Sequence, residues 1–375
     1  VNRVALYIHI PFCIKKCLYC DFHSFRFDLS LIHRYTRALI KELKLFLNTD
    51  YLIKTIYLGG GTPSILPVES IEEIVQTIYG SFKLDDSLEF TIEVNPGTVD
   101  EEKLRLYKTL GINRISIGIQ SIEEEELKIL GRIHSGKEAL EALDTAINVG
   151  FTNINVDLIY GIPNQTLESW RYTLQEVLRR NPTHMSVYGL MYEPGTPLYK
   201  ALIRNRIKPM SEDLEVEIFN ETQEVLSTYG LRWYEISNYA KDGYECRHNL
   251  TYWRGEDYLG FGPSAHSLVG NTRYSNTPNI KAYVELLDRG KSPKIWEERL
   301  SPPERAKELI ILGLRLREGV SLCDVYRRTG VDVGRIFSEN IERLISYGLL
   351  YKKDDRIQLT EKGRLLGNLV FEEFY

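Results

Sequence analysis

Along the first half of the chain, short β-branched apolar runs alternate with longer segments whose apolar positions recur every three or four residues. Val4–Ile10, Ile53–Leu58, Leu88–Val94, Arg114–Ile119, Asn153–Ile159 and His184–Leu190 read as strands. Leu29–Leu47, Ile71–Tyr79, Glu101–Leu110, Lys137–Val149 and Leu167–Arg179 read as amphipathic helices, with Gly111 and Gly150 where C-terminal caps belong. The strands alternate little between apolar and polar, as strands buried on both faces do, so they predict a parallel sheet of βα units. Six such units fall short of the eight that close a barrel. The predicted architecture is therefore α/β, an open, partial (β/α)6 barrel over residues 1–195. Its chemistry is expected at the carboxyl ends of the strands.

The pattern changes near Pro194. Through residues 196–300 short aromatic-rich stretches (Trp233, Tyr234, Tyr239, Tyr244, Tyr252, Trp253, Tyr258) alternate with Gly and Asn. They predict a mixed extension of further strands and loops that covers the open side of the barrel. Residues 301–375 return to helical spacing over Arg305–Leu316, Leu322–Thr329 and Ile336–Tyr347. Two short strands around Lys353–Asp355 and a last helix from Glu361 follow. That order is a winged-helix pattern.

Composition narrows the function classes. The 375 residues are 43% hydrophobic and 26% charged, with a formal net charge of -5. A mildly acidic chain argues against nucleic acid as partner, and the winged-helix-like segment carries 13 Lys+Arg against 12 Asp+Glu, without a basic excess. That segment is expected to be a packing or lid domain. No apolar run reaches the ~20 residues of a membrane span, although a peripheral membrane contact is compatible with the sequence. The stretch from Val1 to Pro11 is too short for a signal peptide. Of the five cysteines, three crowd into eight positions while Cys246 and Cys323 stand alone, which is no disulfide framework. A cytoplasmic location is the expectation.

The crowded cysteines are the main chemical signal. Cys13, Cys17 and Cys20 sit on one loop after the first strand and before the first helix. Three thiolates on a tight loop can hold three corners of a 4Fe–4S cubane, leaving the fourth iron without a protein ligand. That open position suits a small chelator such as the amino and carboxylate groups of S-adenosylmethionine (SAM). A reducing cluster could then cleave a carbon–sulfur bond of the sulfonium. A zinc site completed by His9 or His23 is the alternative, as are three unrelated buried thiols. The spacing of three then two is unlike the paired CxxC of zinc ribbons.

The CxxxCxxC loop, with Tyr19 before its last cysteine, resembles the radical SAM superfamily. The resemblance runs over nearly the whole chain. Within the superfamily it is to the oxygen-independent coproporphyrinogen III oxidase-like proteins and their relatives, the HemW-type heme chaperones. Further motifs match in order: Gly59-Gly60-Gly61-Thr62-Pro63-Ser64 after the second strand, Glu93-Val94-Asn95-Pro96 at the end of the third, Gly118-Ile119-Gln120-Ser121 at the end of the fourth, Gly131-Arg132-Ile133-His134 beyond it, and Asp157 on the fifth. The resemblance implies that Cys13, Cys17 and Cys20 hold the cluster. It also implies that Tyr7, Gly60, Gly61, Thr62, Glu93, Gln120, Arg132 and Asp157 line the SAM pocket. A ribose diol suits acidic or amide partners, and a carboxylate suits arginine.

Three features favour the chaperone branch. Cys20 is followed by Asp21-Phe22, where the coproporphyrinogen enzymes continue with Gly-x-Cys. Those enzymes carry a segment before the first strand that this sequence does not show. His248-Asn249-Leu250-Thr251-Tyr252-Trp253 reads as HNxxYW, similar to a signature of the HemW-type proteins. The resemblance then implies heme as ligand, haemoproteins as acceptors and a reductant for the cluster. His248 is the candidate heme ligand, with Cys246 as an alternative thiolate, His9, His23, His184 and His266 as further imidazoles, Tyr252 and Trp253 as walls, and Arg247 or Arg254 at the rim. Radical-driven decarboxylation of coproporphyrinogen III is the rival activity.

Overall fold

The structure is a computed structural model that describes residues 2–47 and 49–375. Strands β1 (Asn2–Ile10), β2 (Tyr51–Gly60), β3 (Lys83–Val94), β4 (Arg114–Gln120), β5 (Asn153–Tyr160) and β6 (His184–Gly189) pair in parallel in that order. These are the six expected strands. Helices α1 (Leu29–Lys44), α2 (Val68–Ser81), α3 (Glu101–Thr109), α4 (Glu124–Leu130), α5 (Gly136–Asn148) and α6 (Leu167–Leu178) connect them. Local chemistry sets the helix starts. Asp28 caps α1 by accepting from the Leu31 N–H, and Ser135 with Glu138 forms a reciprocal capping box on α5.

The strands hide a two-residue alternation. Leu6, Ile8, Ile56, Leu58, Phe90, Ile92, Ile115 and Ile117 are fully buried in the hydrophobic core. The alternate residues Tyr7, Thr55, Tyr57, Glu93, Ser116, Asn155 and Asp157 give the concave interior a polar lining.

Residues 196–300 contain more helix than expected: α7 (Pro197–Ile203), α8 (Glu212–Thr228), α9 (Arg247–Trp253) and α10 (Ile280–Asp288). On α8 only Ile218, Thr222 and Leu226 are fully buried, and this thin stripe is masked by six acidic residues among its seventeen. The strands of this region prolong the sheet at both edges instead of covering its open side. β7 (Arg232–Glu235) and β8 (Asn238–Ala240) add antiparallel beyond β6. β9 (Tyr258–Phe261) pairs in parallel with β1, and β10 (His266–Val269), β11 (Thr272–Asn276) and β12 (Lys294–Arg299) continue antiparallel from it. One mixed sheet of 12 strands results, and its end strands β12 and β7 do not pair with each other. The hydrophobic core does not break at residue 195, because Leu259, Phe261, Ile280 and Tyr283 belong to the same buried cluster as Leu6 and Ile8.

Residues 302–374 build a second core. Helix α11 (Pro302–Gly313), the short strand β13 (Val320–Ser321) and helices α12 (Leu322–Thr329), α13 (Val333–Ile336) and α14 (Ser338–Ser346) precede the hairpin of β14 (Leu350–Lys353) and β15 (Arg356–Leu359), and β13 pairs antiparallel with β15 to make a small three-stranded sheet. Two short helices, α15 (Glu361–Leu365) and α16 (Gly367–Glu372), end the chain. This is the winged-helix arrangement expected from the spacing. Among the described residues no helix is long and apolar enough to cross a membrane.

Candidate functional site

A cavity of about 540 Å³ opens at the carboxyl ends of β1–β6. Ten of the twelve residues singled out in the sequence line it. Cys13, Cys17 and Cys20 stand at its mouth, with Gly60, Gly61 and Thr62 beside them. Glu93, Gln120, Arg132 and Asp157 complete the set. Tyr7 and His248 are not among the lining residues.

The cysteine loop is stitched to the glycine loop by backbone hydrogen bonds. The Gly61 N–H donates to Ile10 O (2.8 Å) and the Thr62 N–H to Phe12 O (2.8 Å). A Cβ on Gly61 would stand 2.6 Å from Phe12 O, and one on Gly60, where φ is +113°, would strike the His9 ring. Both positions therefore require glycine. From this seam an arc of side chains joins two cysteines. Thr62 Oγ1 donates to Cys13 Sγ (3.8 Å) and accepts from Asn95 Nδ2 (2.9 Å). Arg132 donates to Asn95 Oδ1 (2.7 Å), to Gly118 O (2.7 Å) and to Cys17 Sγ (3.4 Å). Arg132 Nε is buried without a partner among the described residues. Burial raises the Cys13 thiol, with Thr62 opposing, and pushes Cys20 up to about 11. Among the described residues no three His, Cys, Asp or Glu side chains converge on one metal position. The thiolates of a cubane each bind a different iron, so a cluster does not require such convergence.

The acidic side of the cavity is built from β3, β4 and β5. Glu93 accepts from Tyr57 OH (2.8 Å) and from the Gly60 N–H (3.1 Å). Burial nevertheless raises its carboxyl to about 7, and the nearby Asp157 adds to the rise. Asp157 accepts from Asn155 Nδ2 (2.7 Å) and Ser116 Oγ (3.2 Å), and burial lifts it above the usual carboxylate range. Gln120 ends β4 at a register shift with φ at 70°, a left-handed conformation that is costly for a non-glycine residue. Tyr7 lies behind this wall. Its hydroxyl meets His9 Nδ1 at 3.0 Å, and His9 Nε2 meets the His23 carbonyl at 2.9 Å. Tyr7 thus reaches the end of the cysteine loop through His9.

His248 lies apart from the cavity lining. The HNxxYW stretch forms α9, which plugs the floor of the barrel at the amino ends of the strands. Buried Glu89 on β3 accepts from the N–H groups of Arg247 (3.0 Å) and His248 (2.9 Å), anchoring the helix start. The His248 ring is 1% exposed, its Nδ1 meets Thr55 Oγ1 at 2.8 Å and its Nε2 meets Tyr252 OH at 2.9 Å. Tyr57 stacks on it at 5.0 Å between centroids. Both ring nitrogens are therefore engaged, and no free nitrogen faces a heme-sized space. Cys246 is fully buried and its thiol is pushed up to about 12 by burial. Trp253 packs under the Arg315 guanidinium at 5.1 Å, Arg254 pairs with Glu318, and Arg247 bonds to the Ser87 carbonyl. Asn249 alone of the motif lines the cavity.

Among the lining residues that the sequence reading did not assign to the site, two bear on its charge and anchoring. Asn95 anchors Arg132 and stands within a motif already noted. Arg114 is buried at the start of β4, lines the cavity, and has an Nε without a partner among the described residues. A lone charge opening an otherwise apolar strand was the available signal.

A family model described as the radical SAM superfamily matches residues 7–177, and one described as the HemN C-terminal domain matches residues 300–366. Proteins named Heme chaperone HemW align along almost the full chain. The Bacillus subtilis relative is 35% identical, covering 99% of this chain and 98% of its own length. The Escherichia coli relative is 34% identical with the same coverage. Among solved structures, the Escherichia coli coproporphyrinogen III oxidase HemN, described as a radical SAM enzyme, superposes with a TM-score of 0.86 at 26% identity, over 100% of this chain and 90% of that one. The thiol loop, the glycine seam and the full-length likeness agree: the chain belongs to the radical SAM superfamily and, within it, to the HemW family.

Proposed function

We propose that this protein is a heme chaperone that holds a 4Fe–4S cluster, binds SAM and delivers heme to acceptor haemoproteins. The observation that carries the reading is the joint placement of Cys13, Cys17 and Cys20 with Arg132, Glu93 and Asp157 around one cavity, in a chain that aligns end to end with proteins named heme chaperones. The donor set fits the cofactors. Three thiols stand part-exposed at the cavity mouth, and a guanidinium beside them has one buried nitrogen without a partner among the described residues. When bound, the cluster supplies an electron to the sulfonium and a coordination site for the amino and carboxylate groups of SAM.

The chain's own residues have separable tasks. Arg132, fixed by Asn95 and the Gly118 carbonyl, donates to Cys17 Sγ and offers Nε to an anionic group. Glu93 and Asp157 offer carboxylate oxygens to an ammonium or a ribose diol. The Gly60–Gly61 backbone allows close approach of the ligand. Tyr7 acts through His9 to hold the end of the cysteine loop, and Gln120 holds the cavity edge.

The likeness to the coproporphyrinogen enzyme concerns a shared fold, so it does not separate the two activities. The test is an anaerobic incubation of the reconstituted protein with SAM and a reductant, once with heme and once with coproporphyrinogen III. Heme should be bound and passed to an apo-haemoprotein, and the porphyrinogen should stay intact. Decarboxylation without heme binding would replace this reading with the oxidase.

A further inference from the structure

Thr62 and Arg132 each donate a hydrogen bond to a cysteine sulfur, and one amide stands between them. Asn95 directly follows β3, and its backbone is pinned. Its N–H donates to Ser64 Oγ (3.3 Å), while its carbonyl accepts from the Thr98 N–H (3.1 Å) and from Thr98 Oγ1 (2.6 Å). The fold also clears room for the side chain. Gly118 on β4 lies outside the left-handed region, so its backbone does not call for glycine. A Cβ there would stand 2.7 Å from Asn95 Oδ1 and 3.5 Å from an Arg132 nitrogen. The missing side chain makes space for this amide and its guanidinium partner.

The direction of each hydrogen bond follows from what each group can donate and accept. A guanidinium has no acceptor, so the Asn95 atom 2.7 Å from Arg132 is the amide oxygen. The amide nitrogen then faces Thr62 Oγ1 at 2.9 Å, and the hydroxyl must accept. Its single hydrogen is left for Cys13 Sγ at 3.8 Å. The other branch runs from the same guanidinium to Cys17 Sγ at 3.4 Å. Asn95 therefore joins both branches. An acceptor in place of its nitrogen would turn the Thr62 hydroxyl away from Cys13. Hydrogen bonds to the sulfurs of an iron–sulfur cluster draw charge from it and favour its reduced form.

We propose that Asn95 is a positioning residue for the cluster: by holding Arg132 and turning the Thr62 hydroxyl onto Cys13, it keeps a donor on two of the three thiolates and raises the reduction potential. The inference rests on the cluster of the reading above and is independent of heme. A bracing role for the loop after β3 would account for the backbone bonds. It would leave unexplained an amide whose two ends both engage groups that reach sulfur.

The test is an anaerobic redox titration of the full chain carrying its reconstituted cluster, followed by electron paramagnetic resonance, with SAM omitted so that its binding does not move the midpoint. Wild-type, Asn95→Asp, Thr62→Val and the double variant are compared, with iron content as the check on loading. Aspartate keeps the acceptor for Arg132 but offers Thr62 an acceptor instead of a donor, and valine removes the hydroxyl. Each single variant should lower the midpoint, with roughly a tenfold fall in the ratio of reduced to oxidised cluster at the wild-type midpoint. Because both remove the same donor from Cys13, Asn95→Asp should shift the midpoint less in the Thr62→Val background than in the wild type. A wild-type midpoint in either single variant overturns the proposal. Equal shifts in the two backgrounds overturn it too, since the new charge would then act on the cluster directly. Should Asn95→Asp load no cluster, Gly118→Ala, which presses on Asn95 Oδ1, takes its place, and an unmoved midpoint there overturns the proposal. A wild-type protein that assembles no 4Fe–4S cluster would instead defeat the reading of Cys13, Cys17 and Cys20 as its ligands.

Discussion

Replacing Glu93 by glutamine should stabilise the cofactor-free protein at neutral pH while weakening its hold on SAM. The half-buried carboxyl accepts from Tyr57 OH and the Gly60 N–H, and desolvation raises it from the ordinary 4.5 to about 7 in the fold. Burial dominates that rise. The sign follows from linkage. Below pH 4.5 the group is protonated in both the folded and unfolded chains, so it contributes no pH-dependent penalty. As pH climbs from 4.5 towards 7 the unfolded chain releases its proton and the folded chain retains it, so stability falls. Above 7 the loss is complete. At 1.36 kcal/mol per unit, a rise of this size corresponds to about 3 kcal/mol. Glutamine never ionises, so its advantage over wild type should grow by about 3 kcal/mol between pH 4.5 and 8. A fixed offset of about 1 kcal/mol against the variant is expected, because the amide presents a donor to one of the two donors that the carboxylate satisfied. Glu42, another buried carboxyl raised to about 7, contributes the same slope to both proteins and cancels in the difference. The assay is urea unfolding of both apo-proteins at several pH values, with SAM binding measured in parallel. A stability difference that stays flat with pH, or a variant that binds SAM as tightly as wild type, would refute the reasoning.

Other expectations follow from the same site. Cys13→Ala, Cys17→Ala and Cys20→Ala should each abolish the reduced-state electron paramagnetic resonance signal after anaerobic reconstitution, whereas Cys323→Ala, exposed on α12, should keep it. Asp157→Ala and Arg132→Ala should weaken SAM binding by roughly 1.5–3 kcal/mol, read by calorimetry on the cluster-loaded protein. His248→Ala should lower the unfolding free energy by about 2–4 kcal/mol, because it empties a buried site and strands Thr55 and Tyr252, yet it should leave the position of the Soret band unchanged.

The chemistry of the mouth was legible because it is local in sequence. The cysteine spacing, the glycine run and the polar residue closing each strand each lie within a few positions of a predicted element. The floor was not. HNxxYW gives no sign that its histidine is clamped between Thr55 on β2 and its own helix, since that contact joins residues 193 positions apart. Likewise β9 is four residues long and reads as one of many aromatic stretches. Only its parallel pairing with β1 makes it part of the barrel wall. The polar interior was partly hidden too, because Arg114, Asn155 and His184 sit in strands whose neighbouring positions are apolar.

The late arrival of β9 also bears on how the molecule comes into being. During synthesis β1 emerges first and gains β2 as a neighbour on one side, but Ala5 must wait for Tyr258 before its other side is paired. Until then the nascent barrel carries a raw lateral edge, and its floor lacks the α9 plug. Long-range parallel pairing of this kind is slow, and an unpaired edge recruits strands from other chains. A fragment ending at residue 195 would retain all of the proposed cluster and SAM residues yet persist in that half-built state, prone to stick to its own copies. The cysteine loop follows β1 directly, so an assembly factor that loads iron and sulfide would meet a stable platform only once the last third of the chain has threaded back beside the first strand.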